Sequence, residues 1–330
     1  MRAVVLSEYG SLDNLRLMSI PALEPGERDV IVDVRATAIN YVDLVMIKGQ
    51  YQFRPTVPFV PGKGPAGIVR TVGSKVTNFV PGDRVLAMAE QGGYAEQTLI
   101  SEQNCYHLPD KLSFVSAASM ALVFDTAWLS LLERGRMVKG ETVLIMGASG
   151  GVGLAAIQLV KAFGCVALAA ITNAGKADLV KDVGADHVIL LGNGNIRETL
   201  RDKVFGLTDG RGADVVLDPL GGKFFEAALR AVAWSGRLVV IGFAAGDIPT
   251  LKTNYLLVKN IDVGGLQISD YRRRRPDLMT KCFSQIFSLC EEGMIRPLPS
   301  EKIPLSEFKK GLRRLENRSI RGRIVINQEH

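Results

Sequence analysis

Between residues 142 and 263 the chain alternates short apolar runs with longer stretches of helical character. Thr142–Met146 is a short apolar strand, Leu154–Phe163 is apolar on most faces at helical length, and Val166–Ile171 is a second strand. Lys176–Val183 predicts a helix stopped at Gly184, and Val188–Leu190 a third strand. A helix near 196–206, strands Val215–Leu217 and Leu238–Ile241 with a helix at about 223–233 between them, and a strand at Ile261–Val263 complete the series. Strands that alternate with helices predict an α/β fold with a parallel, doubly wound sheet. Two mononucleotide-binding halves predict the strand order 3-2-1-4-5-6.

The period is different before residue 120. Val30–Ala36, Gly67–Val72 and Tyr94–Ile100 alternate as half-buried strands do, and Pro-Gly pairs at 25–26, 61–62 and 81–82 mark turns between them. From about 270 the pattern is helical, and it ends in the apolar strand Arg323–Ile326. A lone strand needs a sheet to join, so the tail is expected to return to the first domain. The organisation predicted is a β-rich domain of residues 1–119 and 270–330, interrupted by a nucleotide-binding domain at 120–269.

Composition narrows the class. Hydrophobic residues make up 47% and charged residues 22%, as in soluble globular proteins. No run approaches 18 to 20 apolar residues, which argues against a membrane span. Met1–Leu6 reads as a strand and is too short for a signal peptide, so a cytoplasmic location is expected. Cys105, Cys165, Cys282 and Cys290 form no C-x-x-C pair or disulfide framework. The net charge of +6 suits an anionic cofactor. The densest charge run, Arg272–Arg275, reads as a solvated loop at a helix start. It has no zinc-finger or aromatic RNA-binding signature beside it, which argues against nucleic acid.

The chemistry centres on Ala148-Ser149-Gly150-Gly151-Val152-Gly153. A glycine-rich turn is weak evidence alone, but this one follows a predicted strand and opens a predicted helix. Gly150 allows the backbone to approach a pyrophosphate, and Gly153 allows close packing of helix on strand. The helix N-terminus offers N–H groups and positive potential to phosphate. After the second strand, an NAD-preferring site carries a carboxylate for the ribose hydroxyls. This chain has Thr172, Asn173 and Lys176 there instead. Thr172 and Asn173 can donate hydrogen bonds and Lys176 can pair with a 2′-phosphate, so NADPH is the expected cofactor.

The motifs resemble those of the zinc-free quinone oxidoreductases of the medium-chain dehydrogenase/reductase superfamily, along essentially the whole chain. They include Asn40-Tyr41-Val42-Asp43, Gly49-Gln50-Tyr51, Pro58-Phe59-Val60-Pro61-Gly62, Val80–Val85, Gly92–Glu96, Thr126-Ala127, and Gly147–Gly153 with Gln158 and Lys161. Asp218–Gly222 and Gly236–Gly242 follow in the expected order. The resemblance implies a GroES-like catalytic domain and a Rossmann domain, with nicotinamide and substrate meeting in the cleft between them. It also implies a homodimer formed partly by edge pairing near Ile261–Ile268.

By this resemblance, Asn40 stands where zinc-dependent members have a cysteine ligand, and Lys63-Gly64 where they have His-Glu. The only histidines are His107, His187 and His330, in no ligand-like cluster, so no metal is expected. Asn40 and Tyr51 are the candidate catalytic residues, as donors to the oxygen that gains charge when hydride arrives. Asn40, Thr126, Ser149, Gly150, Gly151, Val152, Gly153, Thr172, Asn173, Lys176, Gly242, Phe243 and Arg318 are the candidate cofactor contacts. The resemblance is imperfect at three places: Lys63 where an acidic residue is usual, Asp125 where a small one is usual, and Leu191 where some members have a tyrosine. The acceptor expected is a quinone. Reduction of an activated C=C bond in an alkenal, enone or enoyl thioester, and a non-catalytic nucleotide- or RNA-binding role, are the alternatives.

Overall fold

The computed structural model describes residues 1–192 and 194–328. The chain divides into two compact units, Met1–Leu122 with Arg274–Phe283 and Pro297–His330, and Val123–Arg273 with Ser284–Arg296. Residues 284–296 thus group with the nucleotide-binding unit, whereas the sequence pattern placed all of 270–330 with the first.

The first unit opens with an antiparallel pair, β1 (Arg2–Leu6) and β2 (Leu15–Ser19). Its main sheet is built on β3 (Asp29–Ala38), β4 (Ala66–Val72), β5 (Arg84–Ala87), β6 (Gln97–Ser101) and β7 (Cys105–His107). β3 pairs with both β4 and β6, so it lies inside the sheet and is buried along nearly its whole length. Only Asp29, Asp33 and Arg35 keep partial exposure there, which is why its alternation is weaker than a half-buried strand would give. The strand expected at Tyr94–Ile100 starts later, at Gln97. Tyr94 instead turns its ring into the core, its carbonyl accepting from the Val4 N–H and its own N–H donating to Pro61 O.

The second unit is the predicted Rossmann sheet. β8 (Thr142–Met146), β9 (Val166–Ile171), β10 (His187–Leu190), β11 (Ala213–Asp218), β12 (Val232–Val240) and β13 (Asp262–Gly265) lie in the order β10-β9-β8-β11-β12-β13, all parallel. That is the order 3-2-1-4-5-6. Its strands read as continuous apolar runs because helices cover both faces of a parallel sheet. β8 shows this best, being buried at every position. The helix after Leu220 ends at Ala231, and β12 begins earlier than the sequence pattern indicated, with a register shift against β11 between Ala213 and Val215.

The tail supplies β14 (Ser300–Ile303) and β15 (Arg323–Asn327). β15 pairs antiparallel with β3, with Val325 opposite Ala38, so the last strand does return to the first sheet. Between them the helix Phe308–Glu316 buries Phe308 and Leu312 in the same core as Ile324 and Ile326.

Candidate active site

The glycine-rich turn forms between the strand and the helix, where the sequence placed it. β8 ends at Met146, Gly147 takes a left-handed φ of +60°, and the helix Gly151–Ala162 begins at once with Gly150 as its cap residue. The turn is closed by a Gly150 N–H to Gly147 O bond of 2.9 Å and tied to β9 by Ala148 N–H to Ala170 O at 3.1 Å. The two central glycines do different work. A Cβ on Gly153 would lie 2.5 Å from Ala148 Cα, so only glycine lets the helix lie this close to the strand. A Cβ on Gly150 would meet nothing closer than Gly147 O at 3.3 Å. A side chain at Gly150 would thus press only on the carbonyl of Gly147, whereas one at Gly153 would collide with the strand end. The first N–H groups of the helix have no intrahelical acceptors, so Ser149, Gly150, Gly151, Val152 and Gly153 form a cradle that fits a pyrophosphate.

The neighbouring groups lie at the carboxyl ends of the same parallel strands, the edge where open α/β sheets bind ligands. Beyond β9, Thr172 and Asn173 are exposed, and Ala174–Lys176 form a single 3-10 turn. Asn173 Oδ1 accepts the Gly175 N–H at 2.9 Å, so its oxygen shapes the turn and its amide protons are what it can give a ligand. Lys176 ends that turn ahead of the helix Ala177–Asp182, one residue later than the helix start expected from sequence. Leu191 lies in the core below, 2% exposed, so it takes no part in a phosphate pocket. Gly242 and Phe243 follow the end of β12 and are partly exposed. Thr126 lies in the helix Val123–Trp128, which runs on as a π-helical segment, Leu129–Arg134. Such segments recur at functional sites.

Asn40, Tyr51 and Arg318 belong to the first unit. Asn40 caps the helix Tyr41–Ile47 and is 3% exposed. Its Oδ1 accepts from Arg323 Nη2 at 2.7 Å, and its Nδ2 donates to Ala38 O at 3.0 Å. The arginine fixes the amide with its oxygen consumed and its nitrogen left as the donor end. Asp43 takes the Asn40 N–H at 2.8 Å and the Tyr94 hydroxyl at 2.6 Å, which makes it an orienting group rather than a base. Burial pushes the Asp43 carboxyl up to about 6, against those two hydrogen bonds and the charges of Lys63 and Arg323. Burial also pulls the Arg323 guanidinium down to about 10. Arg318 sits exposed beyond the helix Phe308–Glu316 with a φ of +55°. Lys63 is buried, paired with Glu90, and 4.8 Å from the ring centroid of Tyr51.

One reading of the charge run is overturned. Arg272 is not in a solvated loop: it lies in the helix Ile268–Arg274, is 2% exposed, and donates to Asp125 Oδ2 at 2.6 Å. Asp125 is itself fully buried. A helix turns successive residues by about a quarter circle, so one member of an arginine run can face inward while its neighbours do not. Arg273 and Arg275 do stay at the surface, paired with Asp270 and Asp277. The signal for the inward arginine was Asp125, a carboxylate in an otherwise apolar stretch that had to find a cation. His107 bonds to Asn78 O and stacks on Phe79, His187 lies in β10, and His330 is outside the described residues. Among the described residues no group of three or more His, Cys, Asp or Glu side chains could hold a metal.

A Rossmann sheet with a glycine turn at its switch point, inserted into a GroES-like unit closed by the chain's own tail, defines a medium-chain dehydrogenase/reductase. Residues 26–110 match the alcohol dehydrogenase GroES-like domain, and residues 151–284 match the family described as zinc-binding dehydrogenase. The chain is 35% identical to quinone oxidoreductase-like protein 2 homolog of Nematostella vectensis, over 92% of this chain and 82% of that one. It is 31% identical to mouse quinone oxidoreductase, over 93% of this chain and 91% of that one. The structure of mycobacterial Rv1454c complexed with NADPH superposes with a TM-score of 0.91 at 27% identity, covering 99% of both chains. The chain belongs to the quinone oxidoreductase-like family of the medium-chain dehydrogenase/reductase superfamily, and it is an oxidoreductase.

Proposed function

We propose that the protein is a zinc-independent, NADPH-dependent oxidoreductase that reduces a quinone. The observation that carries the cofactor half is the strand–glycine turn–helix passage from β8 through Gly147–Gly153, next to a β9 end that offers Thr172, Asn173 and Lys176 and no carboxylate. The relative solved with NADPH supports the same choice. NADPH, when bound, supplies the hydride. The protein's part is to hold it: the Ser149–Gly153 cradle takes the phosphates, Lys176 and Thr172 the adenosine end, and Thr126, Gly242 and Phe243 the nicotinamide end.

On the acceptor side, Asn40 offers an amide N–H whose direction Arg323 fixes, and Tyr51 offers a phenolic O–H. A quinone oxygen gains negative charge as hydride arrives, and donors held in place before the reaction stabilise that charge without reorganising. Tyr51 can then deliver a proton and regain one from water. Zinc-independence is supported by Asn40 and Lys63, which carry no metal-ligand chemistry at the places where zinc-dependent relatives have ligands. An intracellular, reducing compartment such as the cytoplasm suits the free thiols Cys105, Cys165 and Cys282, all buried.

A panel of quinones, alkenals, enones and enoyl thioesters, followed by NADPH oxidation after treatment with chelator, tests this reading. Quinones are expected to give the highest kcat/KM, with no loss on chelation. A clear preference for activated C=C bonds would move the assignment to that class, and turnover with no acceptor would remove it.

A homodimer is part of the proposal. β13 lies at one end of the Rossmann sheet, and the nearby helix Asn254–Lys259 exposes Leu257 at 80% and Val258 at 73%. An unpaired edge beside apolar side chains is a ready template for a second copy. Sedimentation at micromolar concentration is expected to return twice the chain mass of 35.8 kDa, and a single chain mass would remove the dimer.

A further inference from the structure

We propose that Lys63 is a positioning residue for the reaction, its buried ammonium fixing the ring of Tyr51 so that the phenol is held ready for the acceptor. The proposal rests on the function assigned above to Tyr51. All the groups involved lie within the first unit.

Tyr51 occupies a stretch with no regular secondary structure, after Gly49 with its φ of +69°. No helix or strand ladder holds its backbone, so side-chain contacts, those of the ring among them, help to place it. The side chain packs against the core cluster that includes Val4, Leu6 and Ile47. The ring face meets Lys63, whose Nζ lies 4.8 Å from the centroid. A cation over an aromatic face is attracted by the ring quadrupole, and more strongly when water is excluded. Lys63 is only 1% exposed.

The lysine is itself immobilised. Its neighbours Gly62 and Gly64 adopt φ of +98° and +63°, conformations that a side chain resists. Gly62 O accepts the Gly93 N–H at 3.0 Å, and the Gly64 N–H donates to Ala89 O at 3.2 Å. These bonds bind the lysine's loop to the one that carries Glu90, and Glu90 takes the ammonium in an ion pair. Glu90 is 28% exposed, so it tethers the charge without sealing it completely. Burying an ammonium costs several kcal/mol even when it is paired. Lys63 nonetheless stands on a fixed backbone against the ring face of the candidate proton donor.

The test combines spectroscopy and kinetics. In protein labelled with ¹³C at the tyrosine rings, the Tyr51 signal is identified by its loss in Tyr51→Phe. Lys63→Met, near-isosteric and uncharged, is expected to move that signal and leave the other tyrosines in place. Lys63→Arg is expected to restore it in part. With a quinone acceptor, Lys63→Met is expected to lower kcat roughly fivefold to tenfold while NADPH Kd stays within about twofold, since an excluded cation–π contact is worth on the order of a tenfold effect. In the Tyr51→Phe background the same substitution is expected to change kcat by less than about twofold, because the hydroxyl through which Lys63 acts has gone. An unmoved Tyr51 signal, or an equal loss in both backgrounds, would overturn the proposal. If Lys63→Met does not fold, Glu90→Gln at the half-exposed partner reads the same coupling: a shifted Tyr51 signal supports it and an unshifted one rejects it. If the wild type turns over no acceptor, the functional reading fails while the ring signal still decides whether Lys63 positions Tyr51.

Discussion

At the scale of single residues, charges that depart from the family pattern are matched by partners elsewhere in the chain. Asp125 stands where the resemblance implies a small residue and is met by Arg272; Lys63 stands where it implies an acidic one and is met by Glu90. The Asp125–Arg272 pair is buried at both ends, 0% and 2% exposed. Its attraction is offset by the cost of removing both ions from water, so the pair adds little net stability over apolar residues of the same shape. Breaking it is another matter, because one charge is then left buried alone. Arg272→Met is expected to destabilise the fold by about 3–5 kcal/mol, and the double change Asp125→Ala with Arg272→Met by much less. Urea unfolding of the three proteins checks this. A double variant as unstable as the single one would show that the residues matter through packing and not through their charge pairing.

At the scale of elements, most of the nucleotide-binding unit was legible because a parallel sheet writes its strands as unbroken apolar runs. β8 and β9 fall at the residues their hydrophobicity marked. Less was legible where contacts distant in sequence decide the local form. Tyr94 continues an alternating pattern but lies outside the strand, its hydroxyl bonded to Asp43, and β3 loses its alternation because a core cluster and the helix Phe114–Met120 pack against it. Arg272 was hidden for the same reason: its partner lies 147 positions away. The glycine turn, by contrast, was readable as a strand–turn–helix passage, and its two central glycines have different steric surroundings. Gly153→Ala forces a methyl group to within 2.5 Å of Ala148 Cα and is expected to destabilise the fold by about 1–3 kcal/mol, read as a lowered Tm. Gly150→Val meets only Gly147 O at 3.3 Å, so the fold is expected to survive while NADPH affinity falls at least about tenfold by calorimetry. Unchanged NADPH affinity in Gly150→Val would place the cofactor elsewhere.

At the scale of the whole molecule, the proposed function places a dinucleotide on the glycine turn and selection of its phosphorylated form at the end of β9. The claim depends on Lys176, which ends the turn that Asn173 caps. A charge-assisted hydrogen bond to a 2′-phosphate contributes about 1.5–3 kcal/mol, roughly tenfold to a hundredfold in affinity. Thr172 adds a neutral contact, and the buried Leu191 adds none. The most direct measurement is kcat/KM for NADPH and for NADH with one quinone acceptor, in the wild type and in Lys176→Ala. The account predicts a wild type that favours NADPH by roughly tenfold or more, and a variant that loses NADPH efficiency with NADH efficiency nearly unchanged, since only NADPH carries the 2′-phosphate. A wild type that uses NADH better would contradict it.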